Sequence, residues 1–209
     1  MGRKITDGPL RNKERTKQKL IDSLGIILTE SGFSGLNVMQ VAAKANVDRK
    51  LVYKYFGGLE GLVKEYLFTK DYWRFSEEQT QYVIEQNKAD FGQRMAYQLL
   101  IDQLDALMGS EEMRKIITWG ISEDFEPLKE LNRQREEVGE KLFASVYDDY
   151  FKDKDKNLRA IEAILISGIY YLSLYSQNNG TFCGIDVKGE EGQAEIKKSL
   201  KQIIDWAYS

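Results

Sequence analysis

The sequence predicts an all-α protein of about nine helices, organised as a small basic head followed by a larger acidic body. Three observations carry this prediction. Apolar residues recur at spacings of three and four along most of the chain, and no run alternates convincingly with the period of two that a half-buried strand requires. Only 2 prolines interrupt 209 residues, and 42% of those residues are apolar, enough to bury a real core. The net charge of -3 conceals an asymmetry: residues 1–56 hold 11 Lys and Arg against 5 Asp and Glu, a net of +6, whereas residues 57–209 hold 19 against 28, a net of -9. A basic small domain on an acidic larger one suits a nucleic-acid-binding head on a regulatory body.

Residues 1–10, with Gly2, Gly8 and Pro9, lack apolar periodicity and are expected to form a mobile arm. From Arg11 a helix is predicted, with Leu20, Leu24, Ile27 and Leu28 on one face and a stop at Ser31-Gly32-Phe33. Asn37 is a good N-cap for a short helix through Val38, Val41 and Ala42 to Lys44. Asp48 caps a second short helix from Arg49 to Phe56, which Gly57-Gly58 interrupts. A longer helix follows through Leu59, Leu62, Val63, Tyr66 and Leu67 towards Trp73. Further helices are read at Tyr97–Met108, at Met113–Gly120 and from Pro127 to Leu142, where proline suits a first helical turn. The last two run from Asn157 to about Ser176 and from Glu190 to about Ala207.

The segment Leu158–Tyr175 is apolar all round, so it must be buried on two sides. Its uncharged stretch, residues 163–175, falls short of the about 20 residues that span a bilayer. One side is expected to meet the domain's own core and the other a twin chain, with Ala163, Ser167 and Gly168 small enough for close approach. No membrane partner is expected.

Absence of histidine removes the usual ligand or base of zinc hydrolases, di-iron bundles and Ser-His-Asp enzymes. The carboxylates at Glu111, Glu112, Glu123, Asp124 and Glu126 cluster at helix ends, where solvation and capping explain them better than catalysis. Neither a catalytic residue, a metal nor a cofactor is expected. Cys183 cannot form an intrachain disulfide, and the N-terminus is too charged for a secretory segment, so a cytoplasmic location is expected.

Residues 37–56 have the pattern of two short helices across a tight turn. Ala42 is small where the second helix must cross, and Asn46 tolerates a left-handed backbone better than most residues. Val47, Val52 and Phe56 pin the second helix, which leaves Arg49, Lys50, Tyr53, Lys54 and Tyr55 to be shared among groove, phosphate backbone and core. Gly32-Phe33, then Asn37-Val38-Met39-Gln40-Val41-Ala42-Ala43-Lys44-Ala45-Asn46-Val47-Asp48, then Tyr53-Lys54-Tyr55-Phe56, resembles the DNA-binding segment of the TetR (tetracycline-repressor-like) transcriptional regulators over roughly residues 11–67.

That resemblance implies a three-helix helix-turn-helix DNA-binding domain at 11–57, and a helical ligand-binding and dimerisation domain at 58–209. It further implies a homodimer on a palindromic double-stranded DNA operator, released by a small-molecule effector. Asn37 and Lys44 would clamp the DNA backbone, Arg49 and Lys50 would contact bases or phosphates, and Tyr53 and Tyr55 phosphates, with Lys54 supplying charge nearby. The chain departs from the family in having Lys50 and Leu51 where small or hydroxyl residues are usual, Tyr55 in place of histidine and Leu59 in place of lysine. These departures bear on which operator is read. Tyr97, Trp119, Phe125, Tyr170 and Tyr171 are candidates to line an effector pocket, and the lack of a dense charge pair favours an apolar or aromatic ligand. The alternative is a helical ligand-binding or interaction protein that has lost operator binding, for which the leucine at position 59 speaks.

Overall fold

The computed structural model describes residues 9–70 and 76–209, with side chains from Asn12 onward. Its elements are α1 (Pro9–Ser31), α2 (Val38–Ala45), α3 (Lys50–Phe56), α4 (Leu59–Lys70), α5 (Glu77–Asn87), α6 (Gln93–Gly109), α7 (Glu111–Ser122), α8 (Glu126–Leu142), α9 (Asp148–Phe151), α10 (Leu158–Tyr175), β1 (Thr181–Phe182), β2 (Ile185–Asp186) and α11 (Glu190–Tyr208). A single 3-10 turn, Phe33–Gly35, follows α1, and a wide π turn, Phe143–Tyr147, joins α8 to α9 so that the chain stays helical between them. The fold is all-α. The helix α5 was not legible in the sequence, because its buried side, Thr80 and Ile84, mixes polar with apolar residues. Ser76 and Gln79 cap it reciprocally.

Most of the predicted arm lies outside the described residues, as does the expected end of α4 at Trp73. Pro9 and Leu10 already belong to α1, with proline in the first turn, where its missing N–H costs nothing. The described residues form two compact units, one built from 9–70 with Trp119–Asn132, the other from 76–118 with Arg133–Ser209.

In the first unit α1 packs on α2 and α4 through buried Leu20, Ile21, Leu24, Ile27 and Leu28. Val41 and Ala42 of α2, Val52 of α3 and Leu62, Val63 and Tyr66 of α4 complete that core. The step from α3 to α4 is so tight that a Cβ on Gly61 would strike the Phe56 carbonyl oxygen, which explains glycine there. Trp119, at the end of α7, is buried against Phe33 and Phe125, with ring centroids 4.5 Å and 5.3 Å away.

In the second unit α6 is the hub. It packs on α10 and α11 through Met95, Ala96, Leu100, Leu104 and Leu107. Arg159 on α10 reaches Glu140 of α8 at 2.6 Å and Asp148 of α9 at 2.7 Å, and its guanidinium lies 4.6 Å from the Phe143 ring centroid. Those hydrogen bonds hold both carboxyls below the usual range. Pairing Thr181 with Asp186 and Phe182 with Ile185 makes a minimal antiparallel hairpin in the otherwise helical fold. Two residues per strand are too few to show alternation, and the signal lay in the turn: Cys183 and Gly184 both have positive φ, 51° and 80°.

The apolar segment from Leu158 forms one helix of 18 residues. It is long and apolar enough by composition to cross a membrane, and 22% of it is buried. Burial on two sides is not seen within one chain. Leu158, Glu162, Ile169 and Ser173 face inward, while Ala160, Ala163, Ile164, Ser167, Gly168 and Tyr171 are exposed.

Candidate nucleic-acid interface

Local chemistry sets the geometry of residues 37–57. Asn37 sits in extended backbone and its Oδ1 accepts the Gln40 N–H at 2.9 Å, which starts α2. Asn46 ends it in left-handed conformation, φ 54° and ψ 52°, and its N–H donates back to the Ala42 and Ala43 carbonyls. The Val47 N–H also reaches the Ala42 carbonyl, at 3.0 Å, closing the turn. Asp48 Oδ1 then accepts the Lys50 N–H at 2.8 Å and opens α3, and Gly57 ends it at φ 76°.

Packing fixes which side of α3 is outward. Val52 is fully buried and Ala42 nearly so, while Val47, Leu51 and Phe56 are half-buried. Arg49, Lys50, Tyr53 and Lys54 are left exposed on one side of α3, with Tyr53 58% exposed. Asn37 and Lys44 of α2 are exposed too. Lys44 is paired with Glu30 at 2.8 Å, which offsets part of its charge. Tyr55 is half-buried, and the Lys13 ammonium lies 5.8 Å from its ring centroid; Lys17 stands likewise over Phe56, at 5.6 Å. Met39 and Gln40, not selected from the sequence, are also exposed on α2, Met39 by 64%. Their signal was positional, one turn before Lys44 on the same helix.

The five aromatic residues proposed for an effector pocket are divided between the two units. Trp119 and Phe125 stack with each other in the first unit. Tyr97 and Tyr170 lie half-buried at the edge of the second unit's core. Tyr171 is exposed and stacks on Tyr175, with Phe182 edge-on to both. Sequence spacing could not reveal this, because it fixes a residue's face on its own helix and not which unit that helix end joins.

A short, capped helix crossing a second one, with cations and a phenol on its open side, defines the helix-turn-helix class of DNA-binding proteins. Residues 27–66 match the model of bacterial regulatory proteins of the tetR family. Among solved structures, NalD, the secondary repressor of the MexAB-OprM multidrug efflux pump in Pseudomonas aeruginosa, shares the fold with a TM-score of 0.62; in its two structures 19% and 21% of residues are identical, and the alignment covers 91% of this chain and 96% of NalD. The transcriptional regulator FadR from Bacillus subtilis, solved with stearoyl-CoA, aligns with a TM-score of 0.58 and 12% identity, over 90% of this chain and 96% of FadR. No curated protein sequence matches. Residues 27–66 thus match a tetR-family segment, and the chain as a whole shares its fold with these solved regulators.

Proposed function

We propose that the protein is a cytoplasmic, homodimeric repressor that binds a palindromic operator and leaves it when a small molecule binds its helical body. The observation that carries this reading is the open face of α3, where Arg49, Lys50, Tyr53 and Lys54 stand exposed on a helix that the Asp48 carboxylate opens after the left-handed turn at Asn46. In the major groove Arg49 and Lys50 contact base edges or phosphates, Tyr53 and Tyr55 reach phosphates, and Lys54 adds charge. Asn37 and Lys44 clamp the flanking backbone. The DNA-binding domain is residues 11–57 and the ligand-binding and dimerisation domain 58–209. No step of this function requires a catalytic residue.

Dimerisation is supported by the outward side of α10, where Ile164 is 71% exposed beside Ala163, Ser167 and Gly168, and by exposed Ile203 and Trp206 on α11. Small residues among large ones let a twin helix approach closely, and a self-complementary apolar patch closes as a two-fold pair. Effector binding acts by favouring a body conformation in which the two α3 helices no longer match successive grooves.

The test is recovery of genomic fragments retained by the purified protein, followed by footprinting. A palindromic site bound at two half-sites about one helical turn apart is the expected result. Retention no better than random DNA at physiological salt would overturn the operator reading and leave an interaction protein in its place.

A further inference from the structure

The buried stripe of α10 is unusually polar. Leu158, Glu162, Ile169 and Ser173, with Ser176 just past the helix end, are all buried, and their spacings put them on one side. The helix thus turns polar groups inward while exposing Ile164 and Tyr171. Ser176 is satisfied, donating to the Ser173 carbonyl at 2.9 Å. Glu162 is not: its Oε1 is buried without a hydrogen-bond partner, and no lysine or arginine among the described residues pairs with it. The Tyr147 hydroxyl is likewise buried and unpartnered.

Both groups are buried in the second unit, and Leu158 and Ile169, on the same side of α10 as Glu162, belong to the apolar cluster that holds Tyr147. Charge on Glu162 raises the phenol pKa of Tyr147 and of Tyr208, next in weight to burial itself, and Asp90 adds to both. Tyr147 is the last residue of the π turn, a feature that recurs at functional sites. Its ring abuts Gly92, where any Cβ would collide with it, so the phenol is held in position. Leu158, Ile169, Leu104, Val146 and Phe151 belong to the same apolar cluster. Buried polar groups are normally satisfied, and a carboxyl and a phenol buried in one core, both unpartnered, lack a donor, which for the ionised carboxyl is best one that carries positive charge.

We propose that Glu162 and Tyr147 are the polar anchor of a ligand site inside the second unit, and that its ligand is an apolar molecule bearing a protonated amine. The proposal rests on the reading of the body as an effector domain. An ammonium neutralises Glu162 and donates hydrogen bonds both to its carboxylate and to the Tyr147 oxygen. A carboxylate ligand would meet Glu162 as a like charge, and an alcohol would leave the charge uncompensated.

The test is calorimetric titration of the full chain at pH 7.5 with three probes on one apolar body: 2-naphthylmethylamine, 2-naphthylmethanol and 2-naphthoate. The amine is expected to bind at least tenfold tighter than the other two. Glu162→Gln should cut the ratio of amine to alcohol affinity at least tenfold while alcohol affinity changes less than twofold. Tyr147→Phe, which removes only the unpaired hydroxyl, should weaken the amine about threefold, and it stands as the second variant if the glutamine protein does not fold. Equal binding of amine and alcohol, failure of the amine to bind at millimolar concentration, or an unchanged ratio in the variants overturns the proposal. A parallel measurement of release from retained DNA separates the two readings. Binding that depends on Glu162 without DNA release supports the site and sinks the effector role, whereas DNA release by the alcohol with no preference for the amine does the reverse.

Discussion

Asn46 shows how one residue holds α3 in place. Its left-handed backbone, φ 54° and ψ 52°, turns the chain between α2 and α3, and asparagine tolerates that conformation where a branched side chain does not. We expect Asn46→Ala to lose about 1 kcal/mol in urea denaturation and Asn46→Gly to stay within about 0.5 kcal/mol of the wild type. Equal losses in both variants would show that the asparagine side chain, not the backbone conformation, does the work. Glu162 gives the second residue-scale prediction. Burial pushes its carboxyl up to about 7, from an unfolded value of 4.5. Because the folded state holds the proton more tightly, the stability this contributes is complete below pH 4.5 and is lost as pH rises through 7. The full loss is about 3 kcal/mol. Melting curves of wild type and Glu162→Gln between pH 5 and 8 should therefore diverge, with the glutamine variant gaining relative stability as pH rises; parallel curves would contradict a raised carboxyl.

At the scale of the element, α3 is read by what it leaves uncovered. Val52 anchors it and Lys50, Tyr53 and Lys54 remain on its open side. Replacing Lys50 by Ala together with Tyr53 by Phe removes one cation and one phenolic donor. On retained DNA we expect weaker binding, and the slope of log affinity against log salt should shallow by about 1. An unchanged affinity and slope in a binding assay from 50 to 300 mM salt would remove both residues from the interface. Much of this element was legible beforehand: the Asn37 cap, the Asn46 turn and the Asp48 start are local hydrogen bonds, written in neighbouring residues. The engagement of Lys44 with Glu30, and of Tyr55 with Lys13, was not, because those partners come from α1, far along the chain.

At the scale of the whole molecule, the prediction concerns assembly. The exposed side of α10 joins Ile164 and Tyr171 to small Ala163, Ser167 and Gly168, a face a twin helix can cover. Ile164→Asp with Tyr171→Asp should shift the sedimenting species from dimer to monomer at micromolar concentration and weaken operator binding, while circular dichroism keeps its helical signal. A wild type that sediments as a monomer at that concentration would dismiss the interface.

The sequence by itself determined the helical class, the basic head against the acidic body, the capped turn between α2 and α3, and the apolar character of the segment from Leu158. Each is a property of neighbouring residues or of helical periodicity, and physics at that range needs no knowledge of the fold. Tertiary structure alone decided that Trp119 and Phe125 pack with Phe33, that α10 carries its polar side inward, and that Glu162 and Tyr147 are each buried without a partner. Those facts depend on which face of a helix its neighbours cover. For a helix apolar all round, periodicity provides no inside or outside, and only packing against α6 chose one.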